Sequence, residues 1–251
     1  MATAKKATLE DVYIKIMVWG APGCYKSRFG LSSPSPLVID YEGSTRLYSN
    51  EFDFYVANVN KLDKDIDSPV KLTKKILDEI LAGEYKDRKT LVVDPVTDLL
   101  DNLESICATK YEQQIGKKID SLNQLQKTKW YAFRRETSRN MLDQLKDLPM
   151  NLILIARSKS VWGKKDGETQ PIGETYDALD IVESLMDVVI NLQKDKQDDI
   201  KAYVKKSRLG NLPDILEVKG WSSITKALEE ANTPKEHINP FAEAEENLKG
   251  A

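Results

Sequence analysis

Histidine is nearly absent from this sequence: His237 is the only one among 251 residues. Catalytic triads with an imidazole base and histidine-rich metal sites are thereby excluded, leaving carboxylates, lysines, arginines and bound cations to carry any chemistry. Cysteine is almost as scarce, with Cys24 and Cys107 alone. Their spacing suits neither a disulfide framework nor a zinc site, so a reducing compartment is expected. No uninterrupted apolar run approaches the length of a membrane span, and residues 1–10 lack an apolar stretch of signal-peptide length. A soluble, cytoplasmic protein without a membrane partner is the expectation. A charge surplus is missing as well: 37 basic and 40 acidic residues leave a net −3. Contact with nucleic acid would therefore have to come from a local patch.

What is present is core material, with 41% of residues hydrophobic. That suffices for one sizeable domain. Short apolar runs alternate with longer segments of helical period, the pattern of βαβ units in a mainly parallel sheet. Strands are expected at 13–19, 37–41, 90–94, 152–156 and 187–192, with weaker candidates at 52–57 and 202–205. Helices are expected at 70–82, 98–111, 130–148 and 222–232, the last capped by Ser222 or Ser223. One domain is expected over 1–232. The polar, acidic stretch 233–251 reads as a flexible or loosely docked tail.

After the first strand comes Gly20-Ala21-Pro22-Gly23-Cys24-Tyr25-Lys26-Ser27. It matches G-x-x-x-x-G-K-[ST] except that Tyr25 replaces the second glycine. In such a loop backbone N–H groups and the following helix N-terminus surround phosphate. Lys26 would reach the β- and γ-phosphates of ATP, and the Ser27 hydroxyl would hold Mg²⁺. A side chain at Tyr25 is expected to crowd the loop. The competing reading is a Gly-Pro turn that enters a helix, with Lys26 merely solvated.

Two acidic strand ends accompany the loop. Asp94 closes an apolar run about seventy residues on, where a phosphoryl-transfer site needs a carboxylate beside Mg²⁺. Glu42, in Asp40-Tyr41-Glu42-Gly43, is placed to polarise the water that attacks the γ-phosphate. Asp40, two residues back on the same strand face, would help order that water. Both acidic ends also suit ordinary turns.

Together these pieces resemble the RecA superfamily, in which a glutamate follows the second strand. Lys206-Ser207-Arg208-Leu209-Gly210 is similar to that superfamily's Lys-x-Arg-x-Gly element, whose cations reach the γ-phosphate held by a neighbouring subunit. The order of elements over residues 13–231 resembles small phage-encoded ATPases, including Sak-type single-strand annealing ATPases. The resemblance implies a RecA-like α/β sandwich and an ATPase of DNA recombination or replication. It also implies a homo-oligomer with ATP at its subunit interface. Expected partners are single-stranded DNA and a single-strand-binding protein, in the cytoplasm of a bacterial host. The alternative is a nucleotide-gated switch or scaffold that hydrolyses ATP slowly or not at all. From the residues alone, Lys206 and Arg208 share a strand face and can project toward one anion, or form an exposed basic strand end.

Two segments bear on DNA. Residues 127–135 mix cations with aromatics, as single-strand binders do. Trp130 and Phe133 also suit the buried face of an amphipathic helix, with Tyr131, Arg135 and Arg139 on its wet face. Residues 158–176 form a long connection, with Asp166-Gly167 reading as a hairpin turn. Arg157 and Ser158 precede it, placed to sense a γ-phosphate.

Overall fold

Alternation along β1 (Lys15–Gly20) explains the architecture. Ile16 and Val18 pack into one hydrophobic cluster, while Met17 and Trp19 pack into another. A strand that is apolar on both faces must be covered on both. The computed structural model describes residues 12–61, 68–165 and 168–232 and shows a three-layer α/β sandwich. Its sheet runs β3-β2-β4-β5-β1-β7-β8-β9, comprising β2 (Pro36–Asp40), β3 (Tyr55–Asn58), β4 (Thr90–Asp94), β5 (Asn151–Lys165), β7 (Val188–Lys194), β8 (Ile200–Ser207) and β9 (Ile215–Glu217). The first six in that order are parallel; β8 and β9 are antiparallel additions. The mainly parallel sheet flanked by helices is the fold class read from the sequence.

One layer contains α2 (Pro69–Ala82), the first half of α3 (Val96–Ile115), the last turns of α4 (Gln124–Lys146) and α5 (Asp180–Leu185). The other contains α1 (Lys26–Leu31) and α6 (Trp221–Asn232). The far half of α3 and the near half of α4 leave the sheet and pack on each other. Cys107, Tyr111, Leu122 and Trp130 make a small core there.

Three expectations change. Residues 158–176 are no irregular loop: β5 continues to Lys165 and pairs antiparallel with β6 (Glu168–Tyr176), forming a two-stranded ribbon. The expected turn at Asp166-Gly167 lies outside the described residues. Neither Ser222 nor Ser223 caps α6 from outside, since the helix already begins at Trp221. The Trp221 N–H donates to Ser32 Oγ at the end of α1 (2.8 Å), and Ser223 Oγ accepts from the Lys219 N–H (3.1 Å). Finally, α5 occupies a stretch for which no helix was expected. The expected tail at 233–251 lies outside the described residues, as do residues 1–11. Among the described residues no helix is long and apolar enough to cross a membrane.

Candidate active site

At one edge of the sheet β1 and β4 end and β5 passes on into the ribbon, and this edge is where the loop, Asp94 and Arg157 meet. In parallel sheets such an edge is where ligands are bound. A cleft of about 510 Å³ opens here, lined by Gly20, Lys26, Ser27, Glu42, Asp94 and Arg157, among others. The expected site residues Lys26, Ser27, Glu42 and Asp94 are thus brought together.

Gly20 starts the loop against β7. A Cβ there would lie 2.3 Å from the Leu192 carbonyl oxygen, which only glycine avoids. Tyr25 adopts the left-handed conformation that the missing glycine would take (φ 59°, ψ 21°). Its ring does not fill the phosphate cradle, which corrects the expected crowding. The side chain is 47% exposed, with the Arg28 guanidinium 5.3 Å and the Lys194 ammonium 5.7 Å from the ring centroid. The glycine-like backbone is kept, and the ring sits at the mouth of the cleft.

The Lys26 ammonium donates to the Ala21 carbonyl (2.8 Å), folding back across the loop. Burial lowers its pKa, opposed by the surrounding anionic groups Asp94 and Glu42. The Ser27 hydroxyl donates to Asp94 Oδ2 (2.6 Å), reaching across β5, which separates the two parent strands. Asp94 is 4% exposed, and burial raises its pKa to about 6, with Glu42 and Asp40 adding to the rise. A buried carboxylate with incomplete neutralisation beside a hydroxyl suits a hard divalent cation. No cluster of three acidic, cysteine or histidine side chains able to hold a metal exists among the described residues. Two protein oxygens, supplemented by phosphate and water, match the way Mg²⁺ is usually held.

Asp40 has a different task from the water-ordering one expected. It is fully buried and accepts from the N–H groups of Glu42 (3.0 Å), Gly43 (2.6 Å) and Thr45 (3.0 Å), and from the Thr45 hydroxyl. These bonds occupy its carboxylate and shape the turn that carries Glu42 into the cleft. Glu42 meets Arg157, whose Nη2 donates to Glu42 Oε1 (2.9 Å). The same guanidinium spans both oxygens of Asp98 on α3, with Nη2 to Oδ2 at 2.9 Å. Asp98 went unnoticed in the sequence because an acidic residue in a helix's first turn is commonplace. Only the fold places it opposite Arg157. The base of the ribbon is tied in here too: the Thr97 hydroxyl accepts from the Arg157 N–H (3.1 Å) and donates to the Asp177 carbonyl (2.7 Å).

Lys206 and Arg208 lie elsewhere. β8 runs opposite to β1, so Lys206 pairs with Val189 and the Arg208 N–H donates to Asp187, near the start of β7. That is toward the edge of the sheet away from the loop, about 10 Å (Lys206) and about 17 Å (Arg208) back along β7 from Leu192. Lys206 Nζ donates to the carbonyls of Glu183 and Met186 (2.5 and 2.8 Å), and Arg208 Nη2 donates to Ser184 (2.5 Å). Lys205 meanwhile bridges the Glu183 carboxylate (2.8 Å). These cations cover the last carbonyls of α5, where the helix dipole favours positive charge. Within one subunit they do not join the cleft.

This geometry agrees with comparison to known families. A family model described as an AAA domain matches residues 13–232. The chain belongs to this AAA domain family of P-loop ATPases. No curated protein matches it significantly.

Proposed function

We propose that this protein is a RecA-like ATPase of phage-type DNA recombination or replication, which works as a homo-oligomer on or with single-stranded DNA. The observation that carries the ATPase part of this reading is the contact between Ser27 Oγ and Asp94 Oδ2 across β5, with Glu42 facing the same cleft. Loop N–H groups and Lys26 bind and neutralise the triphosphate of ATP. Ser27 and Asp94 would hold Mg²⁺, which when bound would offset charge on the phosphates. Glu42 orients the attacking water and accepts its proton. Arg157 stands beside Glu42 and lines the same cleft. Lys206 and Arg208 act on a neighbour's cleft, a role with which their place away from their own cleft is compatible. A single-strand-binding protein is a further partner on this reading, and the cytoplasm its location.

The test measures ATP turnover with and without single-stranded DNA while following oligomer size. Turnover that rises with DNA, and that Lys26→Ala reduces at least 100-fold, is expected. Lys206→Ala should keep ATP binding and lose turnover. DNA-independent turnover by a monomer would remove the reading. One observation favours a second one, a nucleotide-gated switch with slow hydrolysis: the carboxylate best placed as base is already paired with Arg157. ATP binding that changes oligomer size without turnover would select it.

A further inference from the structure

Two elements leave the edge of the sheet that carries the cleft, and their surfaces differ in chemistry. The β5–β6 ribbon is electrically neutral: residues 158–176 contain three lysines against Asp166, Glu168 and Glu174. Its exposed side chains include Val161, Trp162 and Ile172, at 38%, 63% and 57% exposure. The α3–α4 arm, residues 107–133, has five lysines against Glu112 and Asp120. It holds +3 in a chain of net −3, so the remaining residues carry −6.

The arm is built to hold those cations in place. Trp130 is 4% exposed and packs on Tyr111 and Phe133 at centroid distances of 5.5 and 6.5 Å. The Tyr111 hydroxyl donates to the Gln126 carbonyl (3.0 Å), and Asn123 and Gln126 form a capping box at the start of α4. With these rings turned inward, Lys127, Tyr131 and Arg135 follow one another at four-residue intervals along α4, Lys127 half-buried and the other two exposed. Tyr131 is 56% exposed, and the Arg134 guanidinium lies 5.6 Å from its ring centroid. Lys118 pairs with Glu112 and Arg134 with Glu104. Among the described residues, Lys110, Lys117, Lys127, Lys129 and Arg135 form no ion pair. Glu136, an exposed acid next to the stripe in sequence, is turned a further 100° round the helix from Arg135.

We infer that this stripe is a single-stranded polynucleotide site: Lys127 and Arg135 hold phosphates, and Tyr131 offers its ring to a base. Eight residues of helix separate the two cations by about 12 Å, the length of three to four phosphates in a stacked strand. An exposed aromatic between cations is the arrangement that binds strands without reading sequence. The ribbon, with no net charge, lacks the positive surplus for this task. The inference deepens the nucleic-acid part of the proposed function and does not depend on hydrolysis.

The test titrates a fluorescent oligothymidylate with the full-length protein over a series of salt concentrations. Lys127→Gln with Arg135→Gln should weaken binding at least tenfold and reduce the slope of log affinity against log salt by about 1.4. Tyr131→Ala should weaken binding about tenfold with the slope unchanged. Trp162→Ala should leave affinity within twofold. All three are surface changes, and unchanged melting temperatures would show the fold intact. The site is overturned if wild type does not bind the oligonucleotide, or if the arm variants bind as wild type does. Equal binding of duplex with no effect of Tyr131→Ala would overturn the stacking role. A change confined to oligomer size would make the arm a protein interface instead. ATP binding that fails on Lys26→Ala reports separately on the cleft, so the two readings fail independently.

Discussion

Tyr25 is the residue on which the phosphate loop departs from its pattern, and its backbone explains why the departure is tolerated. A left-handed non-glycine residue costs about 1–2 kcal/mol, and the loop accepts that strain while the ring packs beside Arg28 and Lys194. Tyr25→Gly should therefore raise the melting temperature by roughly 2–4 °C and keep ATP affinity within twofold. A fall in melting temperature would mean that the ring's contacts outweigh the strain. Asp94 is strained electrostatically. Its folded pKa of about 6 lies above the ordinary aspartate value of 3.8, so the folded state holds a proton that the unfolded state has lost between those values. Stability on this account falls as pH rises from 4 to 6, by about 3 kcal/mol, and stays lower above that. Asp94→Asn should flatten that limb in thermal melts of the nucleotide-free protein and abolish Mg²⁺-dependent ATP binding. At Arg157 two effects compete. Its pair with Glu42 is close to half exposed, so the pairing itself is worth less than about 1 kcal/mol. Loss of a cation from a phosphoryl-transfer cleft costs more, about 3 kcal/mol. Arg157→Ala should thus lower the turnover rate about 100-fold at unchanged ATP affinity; a rise would show that pairing restrains Glu42.

Among the elements, the contrast between core and edge decided what could be read in advance. Thr90–Asp94 was legible to the residue because it is apolar, β-branched and buried on both faces. The loop and its acidic partners were legible because phosphate chemistry restricts which residue types can serve. β6 was not, since an exposed ribbon strand with the sequence Glu-Thr-Gln-Pro-Ile-Gly-Glu-Thr-Tyr needs no apolar alternation. The Glu42–Arg157–Asp98 cluster was only half legible: its members come from three elements separated by more than fifty positions. α5, a single short helix, was invisible for a related reason. Its last turn depends on side chains that arrive from β8. Lys206→Ala would leave the carbonyls of Glu183 and Met186 without this donor, and should lower stability by about 1–2 kcal/mol in a denaturant titration. Unchanged stability with lost turnover would assign Lys206 to a neighbour's nucleotide alone.

At the scale of the whole molecule, the cleft and the Lys206–Arg208 group occupy opposite edges of one sheet. On the proposed reading a subunit is directional, with one edge receiving and the other donating. Copies joined by unlike surfaces form closed rings or open helices. On the proposed reading, Lys26→Ala damages only the receiving edge and Lys206→Ala only the donating edge. Two inactive proteins should then repair one another when mixed. With random assembly at equal amounts, about one junction in four unites an intact cleft with an intact cation pair, so about a quarter of wild-type turnover should return.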